Sequence, residues 1–292
     1  MAAKNIEKIF RNQQPHWVGD GFPVRSLFSH FTAGSAISPF LLLDYAGPHE
    51  FAPAPRPRGV ELHPHRGFET VTIVYQGELE HRDSAGNHGT IGPGDVQWMT
   101  AASGVLHEEH HSERFARDGG TLEMVQLWVN LPAKVKMSPP RYQEILSAQI
   151  PVAMLADGAG AVRVIAGGFN GTQGPAKTFT PVNLWDLRLK AGHTTVFGIP
   201  EGFMAALVVQ RGTVRLNDQE QLQAVDLALF SRTGDRITIA AEAEAMALLL
   251  AGEAIDEPVV AQGPFVMNTK EEIQEAIRDY QSGRLGRVGA SS

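Results

Sequence analysis

"FETVTIVYQGELEHRD", residues 68–83, decides how the rest of the chain is read. Its first half is dense in β-branched and aromatic residues. Its second half alternates apolar with polar, the mark of a half-buried strand. The stretch that follows, "SAGNHGTIGPGD" (84–95), is rich in Gly, Asn and Pro, as a turn between antiparallel strands requires. "VQWMT" (96–100) and "LEMVQLWVNLP" (122–132) then return to strand composition. Long helical periodicity is largely missing before residue 260. The expectation is an all-β protein of barrel or sandwich type.

A weak internal repeat extends this reading. "VYQGELEHRD" (74–83) resembles "VVQRGTVRLND" (208–218), and each copy is followed by an Asp-centred turn, at Asp95 and at Asp226. Each then closes on an apolar strand, "LEMVQLWVNLP" or "AMALLLAGEAI" (245–255). Two tandem antiparallel barrels joined by the Pro-rich "NLPAKVKMSPPRYQEI" (130–145) account for the length. The expected boundaries are 1–132 for a first barrel, 133–262 for a second and 263–292 for a tail. That tail contains "NTKEEIQEAIRDYQSGRLG" (268–286), with Thr269 and Glu272 as a capping box. Ile273, Ala276, Ile277 and Tyr280 form its apolar stripe and Gly283 its stop, so it reads as a helix that packs on the barrels without a role in chemistry.

Composition narrows the chemistry. The 292 residues contain no cysteine, which excludes thiolate metal sites, disulfides and cysteine nucleophiles. Any metal is held by nitrogen and oxygen. The formal net charge of −7 argues against a nucleic-acid partner. The first twenty residues lack an apolar core of signal-peptide length, and later apolar runs are too short to span a bilayer. A cytoplasmic protein with no membrane contact is expected. "FAPAPRPRGV" (51–60) reads as an extended, solvated loop.

Eight of the eleven histidines fall between residues 49 and 111. "ELHPHRGFET" (61–70) and "GVLHEEHH" (104–111) hold the informative ones. Residues two apart on a strand share a face, so His63 pairs with His65 and His107 with Glu109. Two such pairs on neighbouring strands place three imidazoles and a carboxylate around one point. That donor set suits Fe(II), Mn(II), Ni(II), Cu(II) or Zn(II). Trp98 and Met99 stand near the ligands, so one of them is expected to line the pocket, with Phe68 shaping its mouth. His110 and His111 are placed at the pocket rim or in solvent rather than on the metal. His81 and His88 read as hairpin residues without a role.

These motifs carry a resemblance. "HPHRGFETV" resembles the first motif of the cupin superfamily, and "GTIGPGDVQWMTAASGVLHEE" the second. Together with "GPFVMNTKEEIQEAIRDYQSGRLG" they closely resemble the pirins, two-barrel cupins of which some are described as quercetin 2,3-dioxygenases and some as nuclear cofactors. The resemblance is specific over 60–132 and 263–286 and general over 133–262. It implies a bicupin fold with His63, His65, His107 and Glu109 as metal ligands. The usual cupin pattern would instead use Glu69. Strand parity leaves the choice open, because Gly67 can turn the chain, and the resemblance ranks Glu109 first. Aligning the repeats sets Gly198, Pro200, Thr238 and Ala240 opposite the four ligands, so the second barrel is expected to be without metal.

The resemblance implies one of two roles. The first is a dioxygenase holding one divalent metal, Fe(II) above the others, and cleaving a flavonol such as quercetin with O2, with Glu109 as catalytic base. The second is a non-enzymatic iron-binding redox or ligand sensor acting on a protein partner. A sugar-phosphate isomerase would need a basic phosphate cluster that the chain does not display.

Overall fold

The computed structural model describes residues 2–11 and 13–288. Two compact units emerge. One comprises Gln14–Ser26, Phe40–Ser147 and Ile255–Ser292; the other comprises Met1–Gln13, Leu27–Pro39 and Ala148–Ala254. The fold is all-β with a small C-terminal helix, as the strand composition implies.

The first strands in chain order are β1 (Ile6–Phe10), β2 (His16–Val18), β3 (Phe22–Ser29), β4 (Phe40–Phe51), β5 (Gly59–His65) and β6 (Phe68–Gln76). They continue with β7 (Leu79–Asp83), β8 (His88–Ile91), β9 (Val96–Thr100), β10 (Val105–His111), β11 (Gly120–Asn130) and β12 (Arg141–Ile145). The histidine-bearing unit has a seven-stranded sheet, β12-β9-β6-β11-β4-β3-β2, and a four-stranded sheet, β5-β10-β7-β8. Phe22, Val24, Ala46, Val74 and Met124 from the larger sheet pack on Leu79 and Ile91 from the smaller one. Each hydrogen-bonded sheet is open, so the expected barrel is a two-sheet jelly roll rather than a closed cylinder. Closure is by side chains.

The other unit repeats this plan with seven strands and four. β1 pairs there with Leu227–Phe230. This long-range pairing takes the N-terminal residues out of the contiguous 1–132 segment expected from the sequence. The internal repeat has a physical counterpart in the two aspartates. Asp95 accepts from Gly92 N at 2.9 Å, and Asp226 from Gln223 N at 3.1 Å. Their carbonyls cap Val74 N and Val209 N alike.

The tail helix runs Lys270–Gln281, with Thr269 and Glu272 forming the expected capping box. Ile273 and Ala276 are buried with Leu106, Phe265 and Met267, whereas Tyr280 is 43% exposed. Arg66 and Asp279 form a buried ion pair at 2.8 Å that ties this helix to the end of β5. Among the described residues no helix is long and apolar enough to cross a membrane.

Candidate metal centre

The register of three adjacent strands builds the site. On β10, His107 lies opposite His63 of β5 and Val105 opposite His65. On its other side β10 pairs with β7, which sets His107 opposite Asp83 and Glu109 opposite His81. An irregularity in the β5 pairing between His107 and Glu109 re-aims these side chains, as bulges beside sites do.

His63, His65 and His107 each offer a nitrogen, and these atoms lie within 4.8 Å of one another. His81, His107 and Glu109 form a second such group, so the imidazole of His107 belongs to both. His65 and His107 are buried at 4% and 0% exposure. Burial first, and the neighbouring imidazoles second, hold both well below the usual histidine pKa. They are therefore neutral at pH 7, the form that binds a metal. Each ring has its Nδ1 engaged: His63 at 2.8 Å from Glu61 O, His65 at 3.4 Å from Pro264 O, His107 at 3.5 Å from His81 Nδ1. The Nε2 of His107 is buried without a hydrogen-bond partner. A buried, unpartnered nitrogen facing two further imidazoles is a donor set that fits a metal ion.

Glu109 is held beside this cluster. Gln97 Nε2 donates to its Oε1 at 2.9 Å and Thr72 Oγ1 to the same oxygen at 3.1 Å. Glu69 goes elsewhere. Gly67 adopts φ +90°, and a Cβ there would sit 1.9 Å from Val266 O. The turn restarts strand parity at Phe68, so Thr70 and Thr72 share one face of β6 while Glu69, Val71 and Ile73 take the other. Glu69 there accepts from Thr100 Oγ1 at 2.7 Å, and burial raises its pKa to about 7.

A cavity of about 200 Å³ adjoins His63, His65 and Glu109. Phe22, Val24, Leu42, Met124 and Trp128 supply its apolar wall, and Asp44 and Gln126 its other polar groups. Asp44, Gln126, Thr72 and Gln97 are successive register partners across β4, β11, β6 and β9. They make a polar row across an otherwise apolar inner face. Ser26 Oγ donates to Asp44 Oδ1 at 2.5 Å, and burial raises the Asp44 pKa against that bond.

The residues expected to touch substrate are placed differently. Phe68, Trp98 and Met99 are all buried, and none is among the cavity lining. Trp98 is the register partner of Val71, on the face opposite Thr72. Met99 packs with Ala101, Val105 and Tyr142, and Phe68 stacks 4.4 Å from Trp128, behind His65. The indole at the cavity is Trp128. His111 is buried against Phe51 and its Nε2 donates to Gly21 O at 3.0 Å, so it lies inside rather than at a rim.

His81, expected as a hairpin residue without a role, stands beside His107 and Glu109. Alternation along β7 places it on the buried face with Leu79 and Asp83, a signal available in "LEHRD" itself.

The family model described as Pirin matches residues 21–129, and that of the Pirin C-terminal cupin domain matches 184–286. The chain belongs to the pirin family. A Pseudomonas aeruginosa protein named "Putative quercetin 2,3-dioxygenase" is 58% identical over 98% of this chain and 99% of its own. Pirin-like protein 2 of Arabidopsis thaliana is 38% identical over 96% of this chain and 85% of its own. The crystal structure of a quercetin 2,3-dioxygenase from Acinetobacter baumannii superposes with a TM-score of 0.96 at 50% identity, covering 99% of this chain and 100% of that one. Two cupin domains make up the chain, as in that bicupin.

Proposed function

We propose that this pirin is a metal-dependent dioxygenase that cleaves a flavonol such as quercetin with O2. The observation that carries the reading is the three mutually facing imidazoles with a carboxylate beside them, of which His63, His65 and Glu109 line a largely apolar cavity. Relatives named for quercetin 2,3-dioxygenase support it. His63, His65, His107 and Glu109 would hold the ion, with Fe(II) the first choice and Ni, Mn, Cu or Zn compatible with the donors. When bound, the ion supplies Lewis acidity and a route for O2 to react with an electron-rich aromatic.

The chain's own residues do the rest. The Phe22, Leu42 and Trp128 side chains accept a flat ring and exclude water from it. Both hydrogen bonds described for Glu109 end on Oε1, which leaves Oε2 to take the proton of the flavonol 3-hydroxyl. Asp44 and Gln126, on the same polar row, present hydrogen-bonding groups to the remaining hydroxyls.

Oxygen uptake tests this directly. Protein loaded anaerobically with iron is expected to consume O2 rapidly when quercetin is added, and metal-free protein is not. No uptake by protein with measured iron content would sink the dioxygenase reading in favour of a metal-bearing sensor.

A further inference from the structure

We propose that Asp83 and His81 form a positioning relay that fixes His107 in the tautomer whose Nε2 lone pair faces His63 and His65. The inference rests on the metal-site reading above and adds two residues that bind no metal themselves.

The relay begins in a locked turn. Asp83 Oδ1 accepts from Ala85 N and Asn87 N, each at 2.9 Å, and Asn87 Nδ2 lies 3.1 and 2.9 Å from its two oxygens. A carboxylate so held is an acceptor only, so His81 Nε2, at 3.2 Å from Oδ2, carries the hydrogen. With the hydrogen on Nε2, Nδ1 is the acceptor position of that ring.

A second observation fixes the same tautomer independently. Gln97 Oε1 accepts the Tyr142 hydroxyl at 3.2 Å, and its amide nitrogen donates to Glu109 Oε1 at 2.9 Å. That orientation aims an N–H at His81 Nδ1, 3.3 Å away. A lone pair on His107 Nδ1, 3.5 Å away, would face that of His81 Nδ1, so the hydrogen of His107 sits on Nδ1, sharing the His81 acceptor with Gln97, and its lone pair is left on Nε2. Tyr142 stacks on His81 at 4.9 Å and 18°, which holds the ring plane. His107 is 4.2 Å from His63 and 4.8 Å from His65 between ring centroids.

The relay also accounts for the second donor group. His81, His107 and Glu109 lie close enough to hold an ion, but their facing atoms are bonded through Gln97 or to one another. The group is a hydrogen-bonded support, and the chain takes one metal.

The test is Asp83→Asn. The Oδ1 position keeps its oxygen, because the opposite amide orientation would set NH2 against the N–H groups of Ala85 and Asn87. The new NH2 then meets His81 Nε2–H, donor against donor. His81 shifts its hydrogen to Nδ1 at the expense of its contact with the Gln97 N–H, and His107 in turn shifts its own to Nε2. The same isosteric change misplaces a tautomer in serine-protease triads. Affinity for Ni(II), measured by competition with a chelating dye, is expected to fall about 10- to 100-fold. Unchanged affinity overturns the relay. Nitrogen-15 spectra of the histidine-labelled, metal-free wild-type chain make a second test that needs no variant. His81 as Nε2–H with His107 as Nδ1–H supports the relay, and the opposite tautomer on either ring overturns it. Wild-type protein with these tautomers that takes up no Ni(II) would defeat the metal reading while leaving the relay standing.

Discussion

Thr72 and Gln97 are direct cross-strand partners, and both reach the same oxygen of Glu109, Gln97 by an amide N–H and Thr72 by a hydroxyl whose one hydrogen is shared with Gln126 Oε1. The carboxylate is thereby fixed from the seven-stranded sheet although it grows from the four-stranded one. Gln97 does more, since it also faces His81 Nδ1 and accepts from Tyr142. Replacing it with leucine takes one hydrogen-bond partner each from Glu109, His81 and Tyr142. Gln97→Leu is expected to destabilise the metal-free protein by about 2 kcal/mol, against about 1 kcal/mol for Thr72→Val. Urea unfolding of the two variants side by side checks the order, and a reversed order would contradict the network.

His107 sits at the centre of the ligand cluster with no exposure. His107→Ala is expected to lose metal and dioxygenase activity together, because its Nε2 is the donor that no protein group satisfies. Metal content by mass spectrometry, set against oxygen uptake, measures both. Retained metal with normal turnover would remove His107 from the ligand set.

Much of this was legible beforehand, and the misses have identifiable causes. The spacing of two residues in "HPH" and "HEE" predicts shared faces, and the structure brings His63, His65 and His107 together. Glu69 was left open because the φ of Gly67, which resets parity, is not written in the sequence. Composition identifies the strand of Trp98 but not which face looks inward, and the indole that lines the cavity is Trp128. His81 was passed over because the turn residues after it outweighed its alternation with Leu79. The pairing of β1 with Leu227–Phe230 has no local signal at all. The tail was read as packing alone, yet Pro264 O lies 3.4 Å from His65 Nδ1.

Glu69 gives a pH dependence separable from the metal site. Burial raises its folded pKa from 4.5 to about 7. Between these values the folded protein holds a proton that the unfolded chain has lost, so stability falls as pH rises from 4.5 to 7. The swing is on the order of 3 kcal/mol. In Glu69→Gln this component is absent. The difference in unfolding free energy between variant and wild type, followed by urea titration across that range, is therefore expected to grow with pH in the variant's favour. A difference independent of pH would mean that Glu69 is ionised throughout.

The buried pair of Arg66 and Asp279 links the tail helix to the strand end that carries His63 and His65. Removing one partner leaves an uncompensated charge inside, which is costlier than never having had the pair. Asp279→Ala is expected to cost about 3 kcal/mol, because it strands Arg66, whose exposure is 3%. Arg66→Met with Asp279→Leu replaces both charges by apolar groups and is expected to recover most of that loss. The backbone bond from Val266 N to Arg66 O survives either change, so the tail keeps its attachment to β5. Thermal unfolding of the single and double variants decides the matter: a double variant no more stable than the single one would show that the charges themselves, rather than their burial without a partner, hold the helix in place.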